Sequence, residues 1–224
     1  MPEQFRVDIN EQQSVTANLY PASKRDRAGI TLILGHGAGA GQFSSFMVTF
    51  STELAARGID TVTFNFFYSE RGRGGPDPND KLEACFRAVI EASRKHKKLA
   101  RNRLAIGGKS MGGRIASQVA ATGAGDLLGL VFIGYPLHPP GQPEKLRSKH
   151  LPLIKSPMLF IQGSRDAFGG ADELGPIVKK LSRRATLHVI DRGDHSLKVP
   201  KSAGNQEDVY KSVQDEIARW LKAL

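Results

Sequence analysis

Gly107-Gly108-Lys109-Ser110-Met111-Gly112-Gly113 is the stretch that decides the fold of this chain. The residues before it, Arg103-Leu104-Ala105-Ile106, are short and apolar enough for a buried strand, and Arg114 to Thr122 after it reads as a helix with small residues on its packing side. A serine with glycines two before and two after it, set between a strand and a helix, predicts a sharp, strained turn. Only residues without a Cβ let strand and helix pass so closely on either side of it. Such a turn holds the hydroxyl at the tip of the sheet, with the free N–H groups of a helix start behind it.

Outward from this turn, the chain alternates strands and helices. Ile30–Leu34, Ile59–Phe66, Leu104–Ile106, Leu127–Ile133, Met158–Gln162 and Ala185–Ile190 are six runs of the buried type. Between them, Phe46–Arg57 fits a helix stopped by Gly58, and Asn79 or Asp80 is expected to cap a long helix carrying Leu82, Cys85, Phe86, Val89 and Ile90. Asp172–Leu181 is a short helix; Gln206–Leu224 is a final amphipathic one with Val209, Val213, Ile217, Trp220, Leu221 and Leu224 on one face. At the start, Phe5–Ile9 and Ser14–Leu19 alternate with period two around a polar turn, predicting a hairpin or antiparallel edge pair. The proline-rich Gly134–Pro157 has no period and reads as a loop or minimal cover. The fold class is therefore α/β: a mostly parallel central sheet flanked by helices, in one domain over 1–224 with no separate cap domain.

Composition narrows the function classes. A chain of 224 residues with 40% hydrophobic and 24% charged residues is ordinary for a soluble globular protein. The lone Cys85 excludes an internal disulfide. No apolar run approaches the roughly 18 residues that cross a bilayer, and Met1–Arg6 lacks the pattern of a secretory signal. The expected location is cytoplasmic, without membrane insertion. The net charge of +10 comes from separate groups: Arg94–Lys98 with Arg101 and Arg103, Arg71 and Arg73, Lys145–Lys149, and Lys179–Lys180 with Arg183–Arg184. Helix ends favour such cations, and no aromatics are interleaved to stack bases. Solvated faces are expected, and a nucleic-acid partner is not.

In a parallel sheet with right-handed crossovers, functional loops gather at the carboxyl ends of the strands. Four loops should therefore share one rim: Gly35-His36-Gly37-Ala38-Gly39-Ala40-Gly41, the Ser110 turn, Gly163-Ser164-Arg165-Asp166, and Asp191-Arg192-Gly193-Asp194-His195-Ser196. A serine hydroxyl needs a base within hydrogen-bond reach before it attacks a carbonyl, and that imidazole needs a carboxylate to fix its tautomer. Ser110, Asp166 and His195 are the candidates, in that order along the chain. His188, His96, His138 and His150 fall in a strand, a helix end or the proline-rich segment. Asp194, adjacent to His195, is expected to brace the loop. A developing oxyanion requires two aimed N–H donors, for which the amides of Met111 and Ala38 are the candidates. His36 is expected mainly to hold its turn by hydrogen bonds, with a second base or a substrate contact as the other roles. Lys109 either pairs with a carboxylate beside the turn or recognises an anionic substrate group. Cys85 and Trp220 are expected in the core.

With these four motifs in place, the chain from about Ile30 to Leu224 resembles the α/β-hydrolase superfamily, in particular the small cover-poor enzymes of the dienelactone hydrolase and carboxylesterase kind. The resemblance rests on His36-Gly37, Gly108-x-Ser110-x-Gly112, Gly163-x-x-Asp166 and Asp194-His195. It implies hydrolysis of esters, thioesters or lactones through an acyl-enzyme, without metal or organic cofactor. Dienelactone hydrolases proper carry a cysteine nucleophile, so Ser110 moves the expectation toward an esterase. Gly107–Arg114 is also similar to a hydrolase-like branch that includes a chromatin-complex subunit. The expected activity is a serine hydrolase of small or medium acyl esters, with a small-molecule substrate. The alternative is a non-catalytic module of the same fold that binds a protein or anionic partner, and a homodimer is compatible with either.

Overall fold

The computed structural model describes residues 2–72 and 74–224; Met1, and Arg73 among the cations noted above, lie outside them. One eight-stranded sheet organises the chain: β1 (Glu3–Asn10), β2 (Gln13–Tyr20), β3 (Ile30–Gly35), β4 (Asp60–Phe64), β5 (Arg103–Lys109), β6 (Gly129–Ile133), β7 (Met158–Gly163) and β8 (Ala185–Ile190). Their spatial order is β1-β2-β4-β3-β5-β6-β7-β8. Strands β3 to β8 run parallel, whereas β2 pairs antiparallel with both β1 and β4. The N-terminal hairpin thus extends the sheet at one edge, its alternating Val7 and Val15 facing the core.

Every residue of β3, β4, β6 and β7 is buried, as in strands covered on both faces, although β4 includes Asp60, Thr61 and Thr63. Helices α1 (Ser45–Ala56) and α6 (Gln206–Lys222) cover one face with Met47, Phe50, Leu54, Val213, Ile217, Trp220 and Leu221. The opposite face carries α3 (Asn79–Lys95), α4 (Met111–Ala121) and α5 (Ala171–Lys180), which contribute Leu82, Phe86, Ile115, Val119, Leu174 and Val178 to a second cluster. Cys85 is buried there, and Trp220 lies against β6 on the α6 side. Among the described residues, no helix is long and apolar enough to cross a membrane.

Several local expectations need correction. The strand expected to reach Phe66 ends at Phe64: the Asn65 side chain accepts from the Gln42 amide, Phe66 N–H turns to His36, and a one-turn helix, α2 (Phe67–Glu70), begins. Neither Asn79 nor Asp80 caps α3; Pro78 takes that place, and Asn79 Oδ1 accepts from Arg114 Nη2 at 3.1 Å. Strand β8 is not doubly covered. It forms the far edge, paired only with β7, and leaves Val189 45% exposed. Leu224 lies beyond the end of α6 and is exposed.

Residues 134–157 begin at the carboxyl-end rim, where His138 N–H donates to Phe168 O at 3.1 Å, and then turn away from it. Tyr135, Leu137, Leu151 and Ile154 pack into the core on the α4–α5 side, with a single 3-10 turn at Leu151–Leu153. Cations end helices as expected at Arg94–Lys95 and Lys179–Lys180, and Arg94 donates to the carbonyls of Ala124 and Asp126.

Candidate active site

Ser110 sits between β5 and α4 with φ 51° and ψ −117°, a conformation that costs energy for any residue with a side chain. Bonds on both sides hold it there: Ser110 N–H donates to Ile133 O at 3.0 Å, and Ser110 O accepts from Arg114 N–H at 3.1 Å. The flanking glycines permit this geometry. A Cβ on Gly108 or Gly112 would penetrate the Gly35 carbonyl at the end of β3, so strand and helix can approach only without side chains. Helix α4 starts earlier than the sequence suggested, at Met111, immediately after the serine.

The loops after β5, β7 and β8 converge. His195 Nε2 lies 2.8 Å from Ser110 Oγ, while His195 Nδ1 lies 2.8 and 3.0 Å from the two oxygens of Asp166. The Asp166 side chain is fully buried, and that of His195 is 20% exposed toward the rim. Asp166 also accepts from Phe168 N–H at 2.8 Å and from Gln162 Nε2 at 2.9 Å. A carboxylate so fixed selects the imidazole tautomer with hydrogen on Nδ1, leaving Nε2 free to accept from the serine. Asp194 braces its own loop as expected, accepting from Ser196 and Lys198 N–H at 2.7 and 2.8 Å.

Three supporting residues were not singled out in the sequence. Gln162, the polar end of an otherwise apolar strand, reaches Asp166, Tyr135 O and Gly169 O through Nε2 and accepts from Tyr135 N–H at 2.8 Å. That one polar residue was the available signal. Phe168 lies against the His195 ring with centroids 4.2 Å apart. Tyr68, on the unforeseen α2, donates its hydroxyl to Ala38 O at 2.8 Å; burial, with Asp77 nearby, pushes that phenol up to about 12, so it stays a donor.

Ala38 and Ser110 line the same cleft, and a Cβ added to Gly37 would lie 3.7 Å from Ser110 Cβ. Met111 N–H, first in its helix, has no intrahelical acceptor, and among the described residues no acceptor takes Ala38 N–H. The substrate-contact role for His36 is corrected. Its side chain is buried at 0% exposure, with Nε2 accepting from Phe66 N–H at 3.1 Å and Nδ1 2.8 Å from Gly37 O. Burial lowers its basicity, which suits a neutral ring that holds the turn. Nor does Lys109 pair with a carboxylate: its Nζ donates to the main-chain oxygen of His195 at 2.5 Å.

A cleft of about 450 Å³ opens on Ser110, lined by the 37–40 turn, the start of α1 with Phe46, and Phe168, His195, Lys198 and Tyr210. Nothing from residues 134–157 borders it. A bonded hydroxyl–imidazole–carboxylate row facing such a cleft can generate a nucleophilic alkoxide and relay its proton.

Known proteins with this architecture are numerous. A family model described as an alpha/beta hydrolase domain matches residues 28–222. Similar solved structures include a dienelactone hydrolase from Anabaena variabilis, with 20% identity over 98% of this chain and 96% of that one and a TM-score of 0.75. A serine hydrolase without lid from Xanthomonas campestris shares 19% identity over 98% and 94% of the two chains, with a TM-score of 0.74. Est1E from Butyrivibrio proteoclasticus shares 13% over 99% of each, with a TM-score of 0.78. At these identities the likeness is one of fold.

Proposed function

Since this chain belongs to the alpha/beta hydrolase domain family, we propose that it is a serine hydrolase cleaving small or medium carboxylic esters and thioesters through an acyl-enzyme. The observation that carries this reading is the placement of His195, whose two ring nitrogens lie 2.8 Å from Ser110 Oγ and from Asp166 Oδ2.

In the proposed cycle, Nε2 takes the proton of Ser110 as Oγ bonds to the acyl carbon, and the carbonyl π pair moves to oxygen. The Met111 and Ala38 amides hold that oxyanion. Its collapse breaks the bond to the alkoxide or thiolate, which leaves with the proton from His195. Water then gives a proton to Nε2 and attacks the acyl carbon; collapse returns Ser110 with that proton and releases the acid. Asp166 keeps Nδ1–H oriented and stabilises the imidazolium throughout. An open cleft of about 450 Å³ supports small or medium acyl groups over long lipid chains.

The test is turnover of a short p-nitrophenyl ester. Wild type should hydrolyse it, and Ser110→Ala should lose at least about 10³-fold in kcat. Equal rates for the two would overturn the assignment of Ser110.

A further inference from the structure

Lys109 is the residue whose role the triad leaves unexplained. It ends β5 and directly precedes Ser110, yet its side chain bonds to the loop after β8, three strands away in the sheet. The acceptor is the main-chain oxygen of His195 itself. A Cβ added to Gly134 would meet Nζ at 2.9 Å, so the ammonium fills the space between the segment after β6 and the loop after β8. The charged groups near it are the Asp166 and Asp194 carboxylates, which favour its charged form; Lys198 lines the same cleft. Burial dominates nonetheless and brings its ammonium down to about 8.

We infer that Lys109 is a positioning residue: its ammonium clamps the His195 backbone to the Ser110 turn and so holds Nε2 at attacking distance from Oγ. The inference rests on the hydrolase reading proposed above. The physical reason is geometric. His195 sits on a loop that leaves an edge strand, and Leu197 in that loop has φ 59°, so its own backbone path is not a relaxed one. The Asp166 contact at Nδ1 and the Phe168 face orient the ring, but the loop behind it can still carry the whole residue toward or away from Oγ. A second tie at the main-chain oxygen removes that freedom. A displacement of about 1 Å at a reacting pair can cost on the order of 10²-fold in rate. An ammonium makes a stronger bond to a carbonyl than a neutral donor does, which explains why a cation occupies this half-buried position.

The experiment compares wild type, Lys109→Met and Lys109→Arg in two readouts. The first is kcat and KM for a short p-nitrophenyl ester from about pH 6 to about pH 10, spanning the Lys109 transition. The second, independent of turnover, is the downfield proton resonance of the His195 Nδ1–H···Asp166 bond. Lys109→Met should lower kcat about 10- to 100-fold with KM changed less than about threefold, and should broaden the resonance. Wild type should lose rate above about pH 8 as Lys109 gives up its proton, and Lys109→Arg should recover most of kcat and remove that loss.

Unchanged kcat with a sharp resonance in Lys109→Met overturns the inference. So does a rise in KM alone, which would make Lys109 a substrate contact. Wild type without turnover defeats the hydrolase reading, and the resonance then decides the clamp on its own: loss of the signal in Lys109→Met supports it, and retention overturns it. Should Lys109→Met fail to fold, Lys109→Gln carries the same comparison.

Discussion

Gln162 shows how much a single buried amide can hold in place. Its side chain joins the carboxylate of Asp166, both backbone groups of Tyr135 and the carbonyl of Gly169. Replacing it with leucine keeps the bulk and strands these partners in a buried place. Gln162→Leu should therefore cost about 1–3 kcal/mol in chemical denaturation and lower kcat as well, because Asp166 loses a donor. Lys109 makes a pH-dependent contribution whose sign follows from linkage. Its folded value of about 8 lies below the ordinary 10.5, so between these limits the unfolded chain binds more protons and the stability of wild type rises with pH relative to Lys109→Met. Denaturant midpoints of the two proteins should diverge in that direction as pH rises from 8 to 10.5; a pH-independent difference would show that the lysine is solvated. At this scale the sequence was legible only in part. Ser110, Asp166 and His195 could be read because each follows a strand end, a position set by chain order. The partners of Lys109 and Tyr68 come from other loops and no local pattern announces them, whereas Gln162 reaches Asp166 and Gly169 in the loop that follows it and showed only as one polar residue in an apolar strand.

Among the elements, the β5–α4 junction tolerates the least change. Gly112→Ala places a methyl inside the Gly35 carbonyl. It should cost at least about 3 kcal/mol or prevent folding, whereas Gly74→Ala, with open space around it, should stay within about 0.5 kcal/mol. Helix α6 is capped by Asn205, whose side chain accepts from Glu207 N–H at 3.0 Å; Asn205→Ala should lose about 1 kcal/mol. The strands and long helices were readable from periodicity because burial on one or two faces writes directly into the pattern. The failures lie where tertiary bonds override local preference. Asn79 serves Arg114 rather than its own helix end, and Phe66 turns out of its strand toward His36. The edge position of β8 is marked only by Thr186 and His188 alternating with Ala185 and Leu187, since strand order is not a local property.

For the whole molecule, what matters is that one rim of the sheet stays open. The proline-rich segment that could have roofed it packs instead against the α4–α5 side, leaving Ser110 at the floor of an accessible cleft. Acyl length should therefore matter through the size of that cleft: kcat/KM for acetyl or butyryl esters should exceed that for palmitoyl by at least about tenfold, measured across a p-nitrophenyl series. The segment's composition predicted irregular backbone correctly, but its direction of packing depends on Tyr135, Leu137 and Leu151 finding the core, which only the assembled sheet provides.

The most direct test is to treat the protein with a fluorophosphonate and map the adduct by peptide mass spectrometry. A single adduct on Ser110 is expected, absent in Ser110→Ala and formed on the order of 10³-fold more slowly in His195→Ala. An unlabelled wild type, or an adduct on another serine that persists in Ser110→Ala, would contradict the claim that residues 110, 166 and 195 work as one site.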